Sequence, residues 1–115
     1  MALELARDHA SIRCAVGFHP GLKKPEGSTT TTIEARVLMM VGSDDPVVPL
    51  DDRAAFEAEM KQAAAEWQLH IFGGVGHSYT NPDIDVYGFP GFRYNAQADR
   101  RAWAAMLALF EEVFS

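Results

Sequence analysis

Cysteine is nearly missing from this chain: Cys14 stands alone among 115 residues. One cysteine excludes an internal disulfide and every cysteine-based zinc pattern. Basic residues are also scarce, ten Lys and Arg against sixteen Asp and Glu, for a formal net charge of −6. The ten are scattered, which argues against a nucleic-acid or anionic-membrane surface, since both need clustered positive charge. Small or neutral partners suit this balance better. No apolar run approaches the roughly 20 residues that cross a bilayer, and no basic segment followed by an apolar stretch of signal-peptide length opens the chain. The sequence therefore reads as cytoplasmic, with no membrane association. Internal repeats are absent, and the only biased tract is Thr29 to Thr32. At this length the chain, residues 1–115, is expected to form one domain.

What is present is patterned. Apolar residues make up 48% of the chain. Three short apolar runs suit buried strands: "CAVGF" (Cys14 to Phe18), "RVLMMVG" (Arg36 to Gly42) and "LHIF" (Leu69 to Phe72). Between the second and third, "DDRAAFEAEMKQAAAEW" repeats Phe56, Met60, Ala63, Ala64 and Trp67 at helical spacing. A second helical pattern closes the chain, with Trp103, Met106, Leu107, Phe110, Val113 and Phe114 on the expected apolar face and Asp99 and Arg100 near its start. "ALELARDHA" at the front has helical composition and no capping residue ahead of it, like the remainder of a longer helix. The order helix, strand, strand, helix, strand, helix is that of consecutive βα units, so the fold class is α/β: about three parallel strands with flanking helices. Two long connections stay outside that scheme. "HPGLKKPEGSTTTTIEA" is polar, and "TNPDIDVYGFPGFRYNAQ" carries Tyr87, Phe89, Phe92 and Tyr94. A connection of the second kind usually has a task, and it is placed to cover a site.

Ligand and catalytic groups of open α/β sheets gather beyond the carboxyl ends of the strands. Here His19 follows the first strand, Asp44 and Asp45 follow the second in "GSDDPVVP", and His77 follows the third in "GGVGHSYTNP". An acid after one strand and a histidine after the next is the order in which α/β-hydrolases present the last two members of a nucleophile, acid and base triad. The acid orients the imidazole and stabilises its charged form; the imidazole takes the nucleophile's proton. A metal held by His19, Asp45 and His77 is a weaker alternative, because their spacing matches no compact ligand motif. No metal and no cofactor is expected.

The segments "ALELARDHASIRCAVGFHPGL", "VLMMVGSDDPVVP", "GGVGHSYTNPD" and "YNAQADRRAWAAMLALFEEVF" together resemble successive pieces of the C-terminal half of the dienelactone hydrolase family. The resemblance implies a truncated α/β-hydrolase fold, with Asp45 as triad acid and His77 as base, Asp44 being a turn neighbour. It implies hydrolysis of a small-molecule ester or lactone through an acyl-enzyme. The family's nucleophile, usually cysteine in a G-x-C-x-G elbow, belongs just before the helix that matches "ALELAR", and neither that motif nor G-x-S-x-G occurs in the 115 residues. No nucleophile is therefore assigned; Cys14 reads as a small buried hydrophobe. Where relatives that hydrolyse dienelactone carry a carboxylate-holding arginine, this chain has Asn81. His19, in a segment matching F-H-G-G-L, joins Tyr79, Asn81 and Phe92 as candidate substrate contacts. Weak or absent turnover is expected of the chain alone. A non-catalytic binding domain and one half of a split hydrolase are the alternatives. The bare edge of the first strand predicts either a homodimer or pairing with a complementary N-terminal half.

Overall fold

A computed structural model describes residues 2–7, 12–24 and 32–115. The elements run α1 (Ala2–Arg7), β1 (Cys14–Phe18), β2 (Arg36–Gly42), α2 (Leu50–Gln62), β3 (Trp67–Phe72), a short 3₁₀ helix (Ile84–Tyr87) and α3 (Ala96–Phe114). The strands form a parallel sheet in the order β1-β2-β3. Val16 pairs with Leu38 and Met40 with His70, so β2 is the centre.

β2 shows why this sheet forms. Val37, Met39 and Val41 point to one face, Leu38 and Met40 to the other, and none is more than 1% exposed. A strand buried on both faces needs a continuous apolar run rather than an alternating one, and "VLMMV" supplies it. On the first face Val37, Met39 and Val41 pack with Leu3, Ala6, Phe56 and Met60 from α1 and α2. On the second, Leu38 and Met40 pack with Tyr79 and with Ala98, Ala102, Leu109 and Val113 of α3. α1 is tied down by Arg7, whose guanidinium donates from Nε and Nη2 to both oxygens of buried Glu59 at 2.7 Å, and from Nη2 to the Leu22 carbonyl at 2.9 Å. A buried carboxylate needs such a partner to remain charged.

Two helices depart from the pattern expected of the sequence. α2 ends at Gln62 instead of running through Trp67, because Ala64 turns left-handed at φ 55°. The Ala65 N–H then donates to Met60 O at 3.1 Å and the Ala64 N–H to Lys61 O at 3.2 Å, closing the helix as glycine usually does. Trp67 therefore opens β3, and Ala64 is exposed. In α3 the buried stripe is Ala98, Ala102, Met106, Leu109 and Val113, whereas Trp103, Leu107 and Phe114 are about half exposed. Small alanines let the helix approach the sheet, and the bulky residues are turned aside. Cys14 is half-buried on an edge strand rather than buried. Asn95 caps the start of α3, its side chain accepting from the Ala98 N–H at 2.9 Å.

Candidate functional site

The turns after β2 and β3 are laced together by hydrogen bonds. The Asp44 N–H donates to Val75 O at 2.9 Å, and the Gly74 N–H to the Ser43 hydroxyl at 2.8 Å. Gly42 allows this closeness, since any side chain there would strike the Val75 carbonyl. Gly76 does the same against the carbonyl of Gly91.

The lacing delivers Asp45 to His77. Asp45 Oδ2 lies 2.7 Å from His77 Nδ1, with the Asp45 side chain fully buried and that of His77 18% exposed. Asp45 Oδ1 accepts the Val47 N–H at 2.7 Å, so both carboxylate oxygens are held. An ionised acid in this position accepts from Nδ1–H and leaves the Nε2 lone pair available. Among the described residues Nε2 has no hydrogen-bond partner. The backbone of His77 is also fixed, its N–H donating to Gly91 O at 2.7 Å and its carbonyl accepting the Arg93 N–H at 3.1 Å.

His19 reaches the same place from β1. Its backbone is left-handed at φ 41°, a conformation uncommon for a residue other than glycine. Its Nε2 lies 2.7 Å from Thr80 Oγ1, and its ring meets those of His77 and Tyr79 edge-on at 5.2 and 5.1 Å. Burial, and then the neighbouring His77, hold its imidazole below the ordinary value. Neutral His19 therefore sits beside the ring that would take a proton.

The other candidates separate. Phe92 packs its ring 5.1 Å from His77 and continues through Phe89 to Tyr87, an aromatic file leading from the surface to the imidazole. Tyr79 lies under the site and not on its wall: it is fully buried, and its hydroxyl donates to Met40 O at 2.9 Å. Desolvation pushes that phenol far above its usual range. Asn81 is exposed and uses its side-chain oxygen to accept the Asp83 N–H at 3.1 Å, a turn contact. Asp44 is exposed, and among the described residues its side chain accepts only from Ser43 Oγ, at 3.2 Å. Sequence reasoning missed Thr80, the Val47 amide and the Gly91 carbonyl, whose parts depend on chain reversals with no local signature. A cavity of about 560 Å³ lies beside the site, lined among others by Asp44, Asp85, Phe89, Phe92, Arg93 and Tyr94, but not by Asp45 or His77. Among the described residues no three His, Cys, Asp or Glu side chains group as a metal site.

Three comparisons with known proteins bear on the family and the fold. The chain is 37% identical to the dienelactone hydrolase-like promiscuous phosphotriesterase P91 from metagenomic libraries, with a TM-score of 0.91 over 98% of this chain and 47% of that one. It is 38% identical to the solved protein m3DLH, again at TM-score 0.91, over 99% of this chain and 48% of that one. An uncharacterized protein of Caenorhabditis elegans is 28% identical over 105 residues, 90% of this chain and 66% of that protein. The chain thus spans about half the length of these solved relatives. The model of the Dienelactone hydrolase family matches residues 1–114, nearly the whole length, and so the chain belongs to the dienelactone hydrolase family.

Proposed function

We propose that these residues form the acid-and-base half of a site hydrolysing small-molecule carboxylic esters or lactones, with Asp45 as acid and His77 as base. The single observation that carries this reading is the 2.7 Å contact between Asp45 Oδ2 and His77 Nδ1 beside an unpartnered Nε2. Asp45 fixes the tautomer and offsets the charge that appears when Nε2 accepts a proton. A nucleophilic thiol or hydroxyl gives that proton to Nε2 and attacks the substrate carbonyl. The leaving alcohol takes the proton back, and water then attacks the acyl intermediate by the same route in reverse roles. The nucleophile comes from the part of the hydrolase fold that these 115 residues do not contain. His19 and Phe92 border the imidazole and shape the substrate's approach.

Without a nucleophile, Asp45 and His77 act on water alone, and general-base assistance contributes on the order of 10² to 10⁴. Hydrolysis of p-nitrophenyl acetate by the chain alone is expected to be slow. It should rise when an N-terminal hydrolase half carrying a G-x-C-x-G elbow is added, and fall back with His77→Ala. Fast, saturable turnover by the chain alone that His77→Ala abolishes would show a nucleophile within these residues. An addition that leaves the rate unchanged would favour a binding domain whose acid and base are relics.

A further inference from the structure

Left-handed backbone is uncommon outside glycine, and where it persists the surroundings must hold it there. Among the described residues three non-glycine residues adopt it: Ala64, which closes α2, and His19 and Ser78, which meet at the base. Ser78 follows His77 in the chain, and the His19 ring lies against the His77 ring. Beyond the turn at Ser78, the Tyr79 hydroxyl donates to Met40 O at 2.9 Å and Thr80 Oγ1 lies 2.7 Å from His19 Nε2. The same Met40 carbonyl accepts the His19 N–H at 2.8 Å. One carbonyl at the end of β2 thus ties the end of β1 to the segment carrying the base. The contact between Thr80 and His19 ties the two a second time, through side chains.

The hydrogen bond to Asp45 fixes one atom of the His77 ring, Nδ1. Torsion about the Cβ–Cγ bond of histidine is broad, so one bonded atom leaves the ring able to swing and to exchange tautomers. Neighbouring groups must limit that swing. Two rings do so, His19 with centroids 5.2 Å apart at 70° and Phe92 at 5.1 Å and 67°. A phenyl ring is held by packing alone, whereas the His19 ring is held by a hydrogen bond as well. We propose that Thr80 and His19 are a positioning pair for the base: Thr80 holds the His19 ring, and that ring keeps the His77 imidazole with Nδ1 on Asp45 and Nε2 open to a nucleophile. The pair rests on the reading of His77 as base, and it acts through His77 rather than on the substrate. A neutral hydrogen bond shifts an equilibrium by roughly two- to tenfold, so loss of the Thr80 hydroxyl should raise the misoriented share of His77 by that factor.

Nitrogen NMR of isotope-labelled histidine rings reads this orientation without any hydrolysis. At mildly alkaline pH the unaltered chain should show His77 as one tautomer, protonated at Nδ1 and bare at Nε2, its signals assigned by their loss in His77→Gln. Thr80→Val keeps the shape of the side chain and removes the hydroxyl, and it should raise the minor form protonated at Nε2 by roughly two- to tenfold. His19→Asn, which suits a left-handed backbone, should do the same. Combining the two should add nothing, since both break one route. Thr80→Ser, which retains the hydroxyl, should keep the single tautomer, a rescue that a packing role would not give. Unchanged His77 signals in Thr80→Val would overturn the proposal, as would additive effects in the double variant or an equal rise in Thr80→Ser. Circular dichroism checks that each variant stays folded; were Thr80→Val to unfold, an unchanged tautomer in His19→Asn would overturn the proposal by itself. Mixed tautomers in the unaltered chain would overturn it together with the Asp45 and His77 pairing on which the proposed hydrolysis rests. A single tautomer that survives every variant would overturn the positioning pair and leave that pairing standing.

Discussion

The two edges of the sheet are built differently on the face that α3 covers. β1 presents Cys14, Val16 and Phe18 there, all packed against the α3 core. β3 presents Gln68 and His70 beside Phe72, and the Gln68 and His70 side chains lie 3.1 Å apart in a hydrogen bond of their own at the surface. Both strands border the same central β2 and both are edges among the described residues. Only β1 continues its apolar surface outward into another element. Two edges of one sheet therefore differ through the side chains that flank their backbone, and polar ones blunt an edge.

The strongest way to break that contrast is to remove what both edges share. Met39→Ala takes a fully buried side chain from the centre of β2 and should cost about 2–5 kcal/mol, where Ile71→Ala on the half-exposed flank of β3 should cost less than about 1 kcal/mol. Urea denaturation of the two variants checks the ratio. A smaller effect separates the sides: Asn95→Ala removes the cap of α3 and should cost about 1 kcal/mol. Hydrogen exchange should then quicken in the first turn of α3 and not in β3. The smallest effect is protonic and sits at the end of β1. Burial and His77 hold folded His19 below its ordinary 6.5, so the unfolded chain takes up a proton first as pH falls. The unfolded state then binds more protons, and stability declines as pH drops below about 6.5. The urea midpoint should follow that sign, and His19→Asn, which tolerates the left-handed backbone, should flatten the slope.

The sequence was legible where chemistry repeats locally. β1 and β2 have the bounds that their apolar runs predict, and acid and histidine lie at successive strand ends. The end of α2 was hidden because alanine, a helix former, occupies the left-handed position at Ala64. The buried face of α3 keeps Met106 and Val113 of the expected set and departs from the rest, because bulk along a sequence does not report burial. Leu109 and the two alanines at 98 and 102 face the sheet while Trp103 and Leu107 do not. The His19 and Thr80 contact spans 61 positions, and no pattern along the chain announces it.

The backbone of His77 bears on kinetics. Its N–H is bonded to Gly91 and its carbonyl to Arg93, so the long aromatic loop grips the base from both sides. Lifting that loop to admit a substrate would tear the imidazole away from Asp45. Under the proposed hydrolysis, substrate entry and product escape pass around a closed loop, and stiffening that loop should leave turnover unslowed.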